Sequence, residues 1–159
     1  RGQRRKLIII KSGFLKINGG QMSVEINVKY EGGLRCEATH VPSGAILKTD
    51  APTDNGGKGE EFSPTDLVAV AFGTCTMTIM GMFAERSSIN LEGATINVSK
   101  EMASHPSRMI GKLTGIITFP KSINLSESDK QKLEKAFEHC PVKQSLHPDV
   151  KIEMKFIYQ

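Results

Sequence analysis

The chain has 159 residues, 38% of them hydrophobic and 24% charged, which fits one soluble globular domain and excludes disordered and fibrous classes. Three cysteines are too few, and odd in number, for a secreted disulfide scaffold; four histidines without a CxxC or HxxxH pairing give no structural zinc site. The absence of tryptophan and a 6% aromatic content exclude a base-stacking nucleic-acid surface, and the net charge of +4 belongs to residues 1–21, whose six basic groups leave 15 basic against 17 acidic residues in the rest of the chain.

Met22 is followed by a clean strand pattern, so residues 1–21 read as a basic leader, non-native or disordered, and 22–159 as a single domain. The leader's apolar cluster at 7–10 is too short for a signal-peptide core, and neither a membrane nor a nucleic-acid partner is expected. From Val24 the pattern alternates: Val24, Ile26, Val28 and Tyr30 face one way, Ser23, Glu25, Asn27 and Lys29 the other. That predicts a half-buried antiparallel strand closed by Gly32-Gly33. A second strand is expected over 34–40, a turn at Pro42-Ser43-Gly44 and a third strand over 45–50.

Residues 51–62 are a loop by composition, with Pro52, Gly56, Gly57 and Gly59. Ser63-Pro64-Thr65-Asp66 then signals a helix start: a serine N-cap, proline at the first helical position and an acid three residues after the cap. From Leu67 to Ala84 no residue is charged over eighteen positions. Three threonines and two glycines within this run favour a helix buried on nearly all sides of a soluble protein over a membrane span. Covering such a helix needs a partner surface, and Gly73 and Gly81 would let another helix approach closely. An intimate homodimer is therefore the economical expectation.

The second half predicts strands over 94–102 and 109–119, then a capping box at Ser126-Glu127-Ser128-Asp129. The helix this box opens has an apolar stripe of Leu133, Ala136, Phe137 and Cys140. A short turn or helix at 141–146 and a last alternating strand from Val150 to Tyr158 follow. The order βββ-α-ββ-α-β is that of an α+β domain with hairpin-built antiparallel sheets.

Cys75 lies in mid-helix and Cys140 at the end of the second helix, 65 residues apart. Each reads first as a small buried hydrophobe and only second as a reactive thiol, and spacing alone does not show that they meet. Cys36, on the second strand, reads as packing. A buried thiol has its pKa raised, so a reactive Cys75 needs a cation, and no arginine or lysine lies three or four residues away on its helix. His139, beside Cys140, reads as a solvent-facing helix-end residue or a proton shuttle.

The segments GEEFSPTDLVAVAFGTCTMTIM and EHCPVKQSL resemble the OsmC/Ohr family of osmotically inducible and organic hydroperoxide resistance proteins. The YEGG hairpin, the D-x-P…GG loop, the S-P-x-[DE]-L helix start, the Cys-Thr pair and the Cys-Pro-Val element stand in the family's order over 22–159. The resemblance implies antiparallel sheets around a buried central helix, in an intertwined homodimer with active sites at the subunit boundary. It also implies a cytoplasmic thiol-dependent peroxidase for organic hydroperoxides, recycled by a lipoyl-type dithiol or a small thiol, with no metal or cofactor. Cys75 would be the peroxidatic thiol, Cys140 the resolving one, and Arg35, just after the glycine hairpin, the cation. Thr65 stands where the family has a carboxylate, so Glu60, Glu61 or Asp66 would orient the arginine, although Asp66 reads first as a helix cap. Leu67, Phe72, Met80 and Phe83 are the expected apolar lining. The alternative on the same scaffold is a non-catalytic protein binding a small apolar or thiol-reactive ligand at the dimer interface.

Overall fold

Glycine turns and alternating side chains decide the first part of the chain. The computed structural model describes residues 22–159 together with two short strands, β1 (Ile8–Ile9) and β2 (Phe14–Lys16). The expectation for 1–21 otherwise lies outside the described residues. β1 and β2 pair with each other, and β2 pairs with β3 (Met22–Val24), all antiparallel. β4 (Ile26–Gly32), β5 (Arg35–His40) and β6 (Ile46–Asp50) form a second antiparallel sheet in chain order. Gly32, Gly33 and Leu34 all have positive φ, at 88°, 59° and 64°, so the β4–β5 turn asks a left-handed conformation of a leucine as well as of two glycines.

The chain divides into two compact units, Arg1–Pro64 and Thr65–Gln159. The second is built on α1 (Pro64–Arg86), β7 (Thr95–Ala103), β8 (Met109–Phe119), α2 (Glu127–Phe137), α3 (Pro141–Ser145) and β9 (Lys151–Tyr158). Ser126 caps α2 as its sequence requires, its Oγ accepting the Asp129 N–H at 3.1 Å. β8 is the central strand and pairs antiparallel with β7. It pairs in parallel with β9, so this sheet is mixed and not, as expected, wholly antiparallel. The reason is the connection: α2 and α3 form the long crossover that a parallel neighbour needs, where a hairpin would force antiparallel pairing.

The core of this unit lies where Leu113, Ile117 and Phe119 of β8 meet Phe72, Met80 and Ala84 of α1 and Leu133, Ala136 and Phe137 of α2. Burying each large side chain contributes about 1.5–3 kcal/mol before entropy is counted. Phe72 meets Phe137 edge to face, with ring centroids 6.0 Å apart. Gly73 is needed here, because a Cβ would come within 3.0 Å of Val98 on β7; the close neighbour is a strand rather than a second helix, and nothing crowds Gly81.

Within the single chain, two surfaces expected to be covered are open. α1 is not enclosed on nearly all sides: its buried residues form one stripe, Ala69, Phe72, Gly73, Thr76, Met80 and Ala84, and Val70 and Met82 are exposed. The sheet and α2 cover only one side of it. By length and composition alone this helix could cross a membrane, and a third of its most apolar window is buried. Likewise the apolar side of the first strands is not half-buried: Val24, Ile26, Val28 and Tyr30 are 52–65% exposed.

Candidate functional site

The second unit brings its two cysteines together. Cys75 sits two turns into the uncharged part of α1, beside the buried stripe, and is partly exposed. Cys140 is fully buried and is the N-cap of α3. Phe137 carries the chain back toward α1 through its contact with Phe72, and the Cys140 N–H donates to the Phe137 carbonyl at 3.0 Å. The Cys75 thiol interacts directly with the Cys140 thiol and with the backbone of Val142. Residues 65 apart in the chain thus share one site.

The backbone explains the contact with Val142. The first N–H groups of a helix have no partner within it, and Pro141 at the first position of α3 has no N–H at all. Val142 therefore offers the first N–H of α3, and it interacts with the sulfur of Cys75. Thr76 is the other polar neighbour. Its hydroxyl donates to the Phe72 carbonyl at 2.8 Å, and its Oγ1 lies 3.9 Å from the sulfur of Cys140.

Burial pushes the Cys75 thiol above the ordinary range; the Val142 N–H pulls it down, and the neighbouring Cys140 raises it further. This is the direction expected of a mid-helix thiol, and it defines what the site needs. A thiol held protonated is a poor nucleophile until a positive charge favours its anion.

The first unit contains a charged constellation built on the β5–β6 hairpin. Arg35 opens β5 and stands opposite Asp50, the last residue of β6. Arg35 Nη2 donates to Asp50 Oδ2 at 3.2 Å and also to the carboxylate of Glu60. Asp50 is fully buried, and its Oδ2 accepts the backbone N–H of Glu60 at 3.1 Å. That N–H, with the backbone of Lys58 and the Arg35 guanidinium, holds the Asp50 carboxyl below the usual carboxylate range against the opposing effect of burial. The Arg35 guanidinium is raised, chiefly by its bond to Glu60.

Loop 51–62 folds tightly enough to make this possible because of Gly57, where a Cβ would lie 1.8 Å from the Ala51 carbonyl oxygen. Of the three acids offered as orienting groups, the structure assigns Glu60 to Arg35. Glu61 is exposed and is not a partner of the arginine. Asp66 pairs with Lys100 at 2.8 Å, and Lys100 also donates to Thr65 at 2.6 Å, so the first turn of α1 is tied to β7.

Four residues were expected as apolar lining. Phe72 and Met80 are instead fully buried core residues, because their positions fall on the stripe that meets the sheet. Leu67 is half-buried. Phe83 lines a cavity of about 460 Å³ between α1 and α2, with Ile79 and Met82 beside it, Arg86 and Lys135 supplying positive charge and the exposed His139 at its edge; neither cysteine lines it. Cys36 lies on β5, half-buried and free.

Sequence reading missed Asp50 and Val142 as site residues. Asp50 was within reach, since Arg35 and Asp50 are equidistant from the Pro42-Ser43 turn and must therefore face each other. Val142 contributes a backbone group, which its side chain does not announce. Among the described residues, no group of three or more His, Cys, Asp or Glu is assembled that could hold a metal.

A mixed α+β unit that joins two reduced thiols defines the class: a protein with a thiol pair set into a helical core. Residues 57–155 match the OsmC-like protein family. The chain belongs to that family. It is 40% identical to a Psychrobacter arcticus protein provisionally named as an osmotic stress induced and detoxification response protein, with 84% of this chain and 94% of that one covered and a TM-score of 0.76. The fold is shared with an organic hydroperoxide resistance protein OsmC from Legionella pneumophila (17% identity, 85% and 96% covered, TM-score 0.69). It is shared as well with an organic hydroperoxide resistance protein from Elizabethkingia anophelis (11%, 86% and 96%, TM-score 0.68). No curated protein matches the chain.

Proposed function

We infer that this protein is a cytoplasmic thiol peroxidase that reduces organic hydroperoxides, working as a homodimer. The observation that carries the reading is that Cys75 and Cys140 lie close enough to influence each other, with Thr76, the neighbour of Cys75 on α1, 3.9 Å from the Cys140 sulfur. The Cys75 thiolate attacks the terminal peroxide oxygen; the O–O bond breaks, and the alkoxide leaves as an alcohol after taking a proton. Cys75 is then a sulfenic acid. The Cys140 thiol attacks its sulfur, an S–S bond forms and water departs. A dithiol of the lipoyl type, or two small thiols, reduces the disulfide by exchange and returns both cysteines to thiols.

Arg35 supplies the positive charge that favours the thiolate, and Glu60 is the carboxylate that bonds it, where the family's carboxylate position holds Thr65. The cavity walled by Ile79, Met82 and Phe83, which begins one turn beyond Cys75 on α1 and is lined by neither cysteine, offers an apolar surface that suits alkyl peroxides better than hydrogen peroxide. The exposed apolar side chains of Val24, Ile26, Val28 and Tyr30, with Val70 and Met82 of α1, support the dimer, since soluble monomers rarely leave such a surface open. Free cysteines suit a reducing compartment.

The test is titration of the reduced protein with cumene hydroperoxide in the presence of dihydrolipoamide. An enzyme consumes many equivalents and loses that turnover in Cys75→Ser. Consumption of one equivalent or none per protomer selects the non-catalytic ligand-binding alternative.

A further inference from the structure

The two carboxylates that share Arg35 are unlike each other. Asp50 is fully buried, at a strand end, and bonded to the backbone of the loop that carries Glu60. Its Oδ1 is buried without a hydrogen-bond partner among the described residues, an arrangement that costs stability. Glu60 is 58% exposed, on a loop with three glycines, and bonds the same guanidinium nitrogen from the solvent side. One partner is buried and the other faces solvent.

We propose that Asp50 is the positioning residue of Arg35, anchoring the guanidinium in the protein while Glu60 acts as an exchangeable partner that partly neutralises it. This rests on the reading in which Arg35 favours the Cys75 thiolate. A strand-end carboxylate with one oxygen in the core and the other shared between Arg35 and the Glu60 N–H cannot swing out with the loop. Glu60 can. With Glu60 bonded, Arg35 carries two counter-charges; with Glu60 released it keeps one, and more of its positive field is free to act.

The two roles predict effects of opposite sign. If Asp50 were simply another negative charge, removing it would strengthen the field of Arg35 and lower the thiol pKa of Cys75, as Glu60→Gln should. If Asp50 positions the arginine, Asp50→Asn leaves Arg35 held only by an exposed loop, and the thiol pKa rises despite the lost negative charge.

The experiment follows iodoacetamide alkylation of Cys75 against pH in the full chain carrying Cys36→Ser and Cys140→Ser, with folding checked by circular dichroism. Arg35→Ala should slow alkylation at pH 7 by about tenfold, the change that one pKa unit produces in thiolate fraction. Asp50→Asn should slow it at least threefold, on the order of half that shift on a logarithmic scale, and Glu60→Gln should speed it. Asp50→Ala repeats the test without a residual acceptor and should slow alkylation at least as much as Asp50→Asn. A folded Asp50→Asn at or above the wild-type rate, with Arg35→Ala slowed, overturns the positioning role and leaves the charge role of Arg35 standing. An unchanged rate in Arg35→Ala overturns both.

Discussion

Arg35 and Asp50 are register partners across β5 and β6, and the buried carboxylate of Asp50 joins that arginine to the backbone of Glu60 in the loop beyond. One side chain therefore ties the turn after β4, the end of β6 and loop 51–62 into a single constellation. The Asp50 carboxyl is held below its unfolded value, first by the Glu60 N–H. A lowered carboxyl contributes stability that is present above its unfolded pKa, about 3.9, and is lost as pH falls through the folded value. Urea unfolding between pH 3 and pH 7 should show this loss in the wild type. Asp50→Asn should be less stable at pH 7 and should lose less on acidification; parallel pH profiles for the two proteins would refute the linkage.

Phe72 is a core residue on α1, in edge-to-face contact with Phe137 and fully buried. Phe72→Ala should cost about 3–5 kcal/mol in denaturant unfolding, with little change in KM for cumene hydroperoxide in the fraction that folds. Phe83→Ala should do the reverse, raising KM with a smaller loss of stability. A large KM effect at Phe72 would return that ring to the substrate surface.

Val28 and Tyr30 project apolar surface from β4 into solvent, 65% and 63% exposed. If that face closes a dimer, a Val28→Asp, Tyr30→Ser double variant should shift the protein to a monomer in sedimentation equilibrium at micromolar concentration. Turnover should fall with it. A dimer that survives the pair of changes would place the interface elsewhere.

Much of the fold is legible in local chemistry. Ser126 and Asp129 state the start of α2, Met109 to Phe119 alternate as a strand, and Pro141 sets the start of α3, because caps, alternation and proline act over a few residues. What escaped is set by distant partners. The parallel pairing of β9 with β8 depends on the path of α2 and α3 rather than on the sequence of either strand. The uncharged run of α1 cannot say how much cover the rest of the chain supplies; Phe72 and Met80 fall on the covered stripe, while Val70 and Met82 do not. The pairing of Cys75 with Cys140 in the second unit was expected only through the resemblance, and Glu60, which bonds Arg35 in the first, was one of three acids it left open. The role of Val142 was not legible, because any residue in that place offers the same N–H.

Peroxide reduction here requires Cys75 and Cys140 to act as a redox pair. Peptide mass mapping after one equivalent of cumene hydroperoxide per reduced protomer, with free thiols trapped by iodoacetamide before digestion, tests this. A Cys75–Cys140 disulfide and alkylated Cys36 are expected. Recovery of Cys75 and Cys140 both alkylated, or of a disulfide through Cys36, would contradict that pairing.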